Sequence, residues 1–142
     1  MSSWSTGDEL VLENVKGEWA YMTSRVTADL HFTRDGVYLT STEETSLPRL
    51  SAFLGATPTQ RLRDMVNKFS VNYSQVKDAK LFKRFSLQES LQRRFAFRYS
   101  TGPRLIDVKG AVFYLNEEQF ERAMVSLPGI IPSTVKLDLP KS

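Results

Sequence analysis

The chain has 142 residues, 41% of them hydrophobic and 25% charged, with a formal net charge of +3, a composition that excludes wholesale disorder and fibrous repeats. A fold of this length buries roughly 68–70% of its unfolded surface, enough for one core, whereas two domains would each be marginal. The absence of cysteine removes disulfides, thiolate metal sites and thiol catalysis together.

Residues 1–8 read as a flexible tail of small polar residues, without the basic and apolar segments of a secretory leader, so a cytoplasmic protein is expected. No apolar run approaches the ~18 residues of a spanning helix, which leaves any membrane contact peripheral. Leu10-Val11-Leu12 begins a short strand, and Trp19-Ala20-Tyr21-Met22 is a second one or its continuation. From Val26 the pattern sharpens. Val26, Ala28, Leu30 and Phe32 alternate with Thr27, Asp29, His31 and Thr33, the period of a half-buried strand. Arg34-Asp35-Gly36 supplies a turn in which Asp-Gly accommodates positive φ, and Val37 to Ser41 returns as the second arm of a hairpin.

Residues 42–56 lack sustained periodicity and read as a loop or an edge excursion. Thr57 suits an N-cap, Pro58 the first helical position and Gln60 the capping-box position. Leu62, Met65, Val66 and Phe69 then form an apolar stripe, which predicts a helix within 57–69. Val76 to Phe82 reads as strand and 86–92 as loop or helical turn. In the next strand Phe95, Phe97 and Tyr99 take one face and Arg94, Ala96 and Arg98 the other. Thr101-Gly102-Pro103 turns into a strand at Leu105–Val108, and Gly110 marks a further turn before Val112–Leu115. Asn116 caps a last helix at 117–127, with Gln119 closing a capping box and Glu117 and Glu118 at the positive end of its dipole. Phe120, Ala123, Met124 and Leu127 form its stripe, and Pro128-Gly129 ends it. Residues 129–142 read as an extended C-terminal tail that either runs free or pairs with a sheet edge, including the edge of a second copy in a homo-oligomer.

The resulting fold class is α+β: antiparallel sheets forming a partly open barrel, one inserted helix and a capping C-terminal helix, in a single domain over 9–128. The segment Asp35-Gly36-Val37-Tyr38-Leu39-Thr40-Ser41 resembles the turn-strand signature of GRAM-type and bacterial pleckstrin-homology-like (PH-like) domains. Phe69 to Ala79, with its apolar-polar-Tyr-polar-polar-Val step, looks like their middle strand. The resemblance extends through the Phe95 and Leu105 segments to the last helix. It implies a non-catalytic binding or scaffold module, leaves the ligand open and carries over no ligand residues.

Charge divides by segment. Residues 1–60 hold eight acids and four bases, 61–109 hold twelve bases and four acids, and 110–142 hold four acids and three bases. The middle block is a candidate footprint for an anionic partner, with Lys80, Lys83, Arg84, Arg94, Arg98 and Arg104 as ligand-binding candidates. The plainer reading is a solvated sheet face. Four such bases at ~1 kcal/mol each against an anionic membrane amount to about millimolar affinity, so charge alone is too weak and a second contribution is required. A protein partner or an anionic membrane is therefore the first expectation, and nucleic acid the runner-up, weakened because Phe95 and Phe97 lie opposite Arg94 and Arg98. His31, the only histidine, would have to serve any triad, and an ordinary exposed histidine beside Asp29 is the preferred reading. No enzyme activity, cofactor or metal is expected.

Overall fold

The computed structural model describes residues 8–19, 25–42, 45, 57–85 and 91–140. Residues 1–7 of the expected N-terminal tail, Ala20 to Met22, most of the 42–56 loop, including Glu43-Glu44, and residues 86–90 lie outside the described residues. Among the described residues the strands and α-helices are, in chain order, β1 (Leu10–Trp19), β2 (Val26–Phe32), β3 (Gly36–Ser41), α1 (Thr57–Lys68), β4 (Ser70–Asn72), β5 (Val76–Arg84), β6 (Gln92–Ser100), β7 (Val108–Leu115), α2 (Glu117–Ile130) and β8 (Lys136–Asp138). The strands form one open sheet in the order β4-β3-β2-β1-β7-β6-β5-β8, antiparallel throughout except where β8 runs parallel to β5. The protein is thus an α+β fold built on a large, mostly antiparallel open sheet.

β1 joins two meanders, β1 to β4 and β5 to β7. Its register on β2 shifts between Leu12 and Val15, where Asn14 adopts φ 53°. Asn tolerates that left-handed geometry, and its N–H donates to Asp29 Oδ1 at 2.9 Å. Such a bulge bends the strand: Leu10 to Leu12 pair with β2 alone, while Lys16 and Gly17 pair with both β2 and β7. α2 is fastened at this bend. Asn116 accepts from the Gln119 N–H at 2.8 Å, Gln119 Oε1 accepts from the Asn116 N–H at 3.0 Å, and the Gln119 amide donates to the bulge carbonyl of Glu13 at 2.6 Å. The expected capping box is therefore also a tertiary clamp.

The core lies on the inner sheet face, where Leu12, Leu30, Phe32, Leu39, Leu81, Phe95 and Phe113 meet Val66 of α1 and Phe120 and Leu127 of α2. Phe69, between α1 and β4, contacts Phe97 and Tyr99 of β6 at ring separations of 6.3 and 5.6 Å. Five strand spacings separate β4 from β6 in the sheet order, roughly 24 Å if flat. Ring contact across that interval requires the sheet to curl over its own core. Close approach explains Gly17, where a Cβ would stand 2.5 Å from Phe113 Cδ1.

Several expectations are corrected. Asp35-Gly36 turns without left-handed backbone. Thr33 closes that turn instead, its Oγ1 accepting from the N–H groups of Asp35 and Gly36, both at 3.1 Å, and the glycine is needed because a Cβ would collide with the Val71 carbonyl. Thr57 is the first helical residue rather than the cap, and Met65 of the expected stripe is 52% exposed. Leu105–Asp107 is a 3-10 turn, not strand, because the Asp107 carboxylate accepts from the Arg104 N–H at 3.1 Å. Gly110 sits within β7 opposite Arg98. α2 runs past Pro128 to Ile130: one missing donor in the last turn is offset by burial of Leu127 and Ile131, whose N–H···O bond of 2.8 Å completes the cap. From residue 129 the chain is not simply an extended tail. Val135 is buried and β8 pairs with this chain's own β5.

Candidate functional site

Alternation in β5 and β6 sends Ala79, Leu81, Phe95, Phe97 and Tyr99 inward and leaves Asp78, Lys80, Phe82, Arg84, Arg94, Ala96 and Arg98 on the outer face. Four of the six sequence candidates, Lys80, Arg84, Arg94 and Arg98, thus share that face. Lys83 does not: it follows the inward phase, and its Nζ lies 5.5 Å from the Phe120 ring centroid. Arg104 is also separate, at the turn after β6, where its guanidinium reaches Asp107 at 3.3 Å.

The outer cations differ in their company. Arg98 forms a forked pair with Asp78, and these bonds, ahead of nearby positive charge, hold the Asp78 carboxyl below the usual carboxylate range against the opposing effect of its partial burial. Arg94 donates to Gln92 Oε1 and lies 5.0 Å from the Tyr114 ring centroid, yet its Nε is buried without an acceptor. Arg25 covers the same ring at 3.9 Å and pairs with Glu18 at 3.4 Å. Among the described residues, no carboxylate forms an ion pair with Lys16, Lys80, Arg84 or Arg94. Ala96 and Gly110 are too small to fill the centre of this face, and a depression of about 320 Å³ lies there, rimmed by Lys80, Arg98, Asp78 and Asp138.

Sequence reasoning missed two features. Tyr114 lies on the arginine face, a fact signalled by its alternation with buried Phe113 and Leu115. Leu105 and Ile106 stand 92% and 72% exposed on the β6–β7 turn. That turn is braced: the Thr101 N–H donates to the Asp107 carbonyl at 2.9 Å and Ser100 Oγ to the Gly102 carbonyl at 2.5 Å. The apolar pair is therefore displayed by an ordered turn, with Arg104 beside it and Lys77 and Lys109 on adjoining strand ends.

His31, on the outer face of β2, is not the freely exposed histidine expected beside Asp29. Its side chain is 13% exposed, with Nδ1 3.1 Å from Asp8 Oδ2, Nε2 2.8 Å from Thr40 Oγ1 and the Tyr38 ring stacked at 4.4 Å. Tyr38 donates to the other Asp8 oxygen at 2.8 Å. Burial first, then the Asp8 hydrogen bond and charge, push the Tyr38 phenol up to about 12. The order Asp8, His31, Thr40 copies a proton relay, but the relay ends on a strand face with one side of the imidazole covered by a ring, and its members satisfy one another. Its evident work is to tie Asp8 down over the β2–β3 hairpin.

Among the described residues no helix is long and apolar enough to cross a membrane, and no group of three or more acidic or histidine side chains is gathered as a metal centre would require. No family model matches the chain, and no curated protein matches it.

Proposed function

We propose that the chain is a non-catalytic binding module of PH/GRAM-like type that docks peripherally on an anionic membrane surface through the β6–β7 turn. Two meanders joined through a bent β1, with a C-terminal helix clamped at the bend, support the PH-like reading. The observation that carries the docking is the exposed Leu105–Ile106 pair beside cations. Such a pair supplies the second contribution that charge lacks. Burying each side chain is worth about 1.5–3 kcal/mol, and Lys77 adds about 1 kcal/mol near an anionic surface, Arg104 being already paired with Asp107. A total near ~5.5 kcal/mol corresponds to affinity on the order of a hundred micromolar, suited to reversible docking.

The test is co-sedimentation with phosphatidylserine-containing and pure phosphatidylcholine vesicles. The anionic vesicles should retain the protein, and Leu105→Ser/Ile106→Ser should weaken retention by at least about a hundredfold. Equal retention of the variant contradicts docking through the apolar tip, and binding to neither vesicle contradicts membrane docking.

A further inference from the structure

The outer face of β5 to β7 carries a second pattern, distinct from the β6–β7 turn and independent of the membrane reading. Phe82, Arg94, Tyr114 and Lys16 occupy one register row across β5, β6, β7 and β1, so ring and cation alternate across four strands. Two strand spacings put the rings about 9–10 Å apart. Each ring has a cation against it, with Lys80 Nζ 4.6 Å from the Phe82 centroid and Arg25 3.9 Å from that of Tyr114.

We infer that this row binds single-stranded nucleic acid, with unpaired bases stacking on Phe82 and on the Arg25 guanidinium that lies over Tyr114, and phosphates meeting Lys16, Lys80 and Arg84. Charge and ring placement choose the occupant. Aromatic platforms beside cations suit unstacked bases of any sequence, whereas a duplex hides its base faces within its own stack. The depression over Ala96 and Gly110 adjoins the row, and Asp78 and Asp138 on its rim can accept hydrogen bonds from base amino groups but repel phosphate, which directs the backbone toward the Lys16 and Arg84 ends. The sequence reading set nucleic acid second because the β6 rings face inward. The rings on the arginine face come instead from the neighbouring strands.

The experiment is fluorescence anisotropy of the full chain with labelled oligo-dT and oligo-U on the order of ten nucleotides, across a salt series. Tyr114→Ala and Phe82→Ala should each lower affinity about 5- to 150-fold, the loss of one base stack, with the salt slope unchanged, while Tyr114→Phe retains binding. Lys80→Ala should reduce the slope by about 0.7, one phosphate contact on a single strand, and Lys68→Ala on α1 should leave affinity and slope unchanged. Circular dichroism melts verify that each variant is folded. No binding at low salt, ring variants equal to wild type, or a duplex of the same composition bound as tightly each overturns the inference. Leu105→Ser/Ile106→Ser should bind oligonucleotide as wild type does, so failure of membrane docking and failure of this site are separately visible.

Discussion

The outer face of the sheet is built differently over its two halves. Over β2 and β3, Asp8, His31, Tyr38 and Thr40 satisfy one another at 2.8–3.1 Å. Over β5 to β7, cations stand beside rings around a depression, and among the described residues no carboxylate forms an ion pair with Lys80, Arg84 or Arg94. Both halves obey the same alternation and cover the same core. A satisfied polar network has little left to offer a ligand, whereas unpaired cations over π-faces do. The first half accordingly stabilises the fold, and the second is the face for which recognition is proposed.

The sharpest way to break this contrast is to change neighbouring residues on opposite faces of β7. Phe113→Ala, which empties a fully buried ring site, should cost about 3–5 kcal/mol in chemical denaturation. Tyr114→Ala should cost much less, and a loss equal to that of Phe113 would make the outer row structural. Next in size, His31→Ala removes two hydrogen-bonded contacts and a stacked ring and should cost about 1–3 kcal/mol without changing vesicle or oligonucleotide binding.

Two pH effects sharpen the contrast further. Tyr38 is raised in the fold, so its contribution is fully present below the ordinary phenol value of ~10 and is lost as pH climbs through the folded value. Asp8→Asn should move the Tyr38 phenolate transition only partway down, because burial is the larger cause. Asp78 is lowered in the fold, so its contribution is present above ~3.9 and is lost as pH falls through the folded value. Asp78→Asn should flatten that acid limb of the stability curve, the smallest effect of the set because the Arg98 pair is exposed.

Legibility in the sequence followed distance along the chain. The β2–β3 hairpin, the two faces of β6 and the Asn116–Gln119 cap were readable because period-two burial and capping are local patterns. Leu105-Ile106-Asp107 is a turn where a strand was expected, because an apolar run does not reveal that the Asp107 carboxylate accepts from the Arg104 N–H. The row from Phe82 to Lys16 was hidden for a different reason: it depends on register among four strands, and the same is true of His31 meeting Asp8, 23 residues away. Basic residues marked the candidate face, but which of them share it depended on strand phase, which separated Lys83 from Lys80 and Arg84.

The most direct test of the docking account is a salt titration of partition onto phosphatidylserine vesicles, comparing wild type with Leu105→Ser/Ile106→Ser. Salt screens the cations but spares apolar burial. Wild-type partition should fall to a residual plateau, and the variant should lose that plateau. Coincident curves for the two proteins would contradict insertion of the apolar tip.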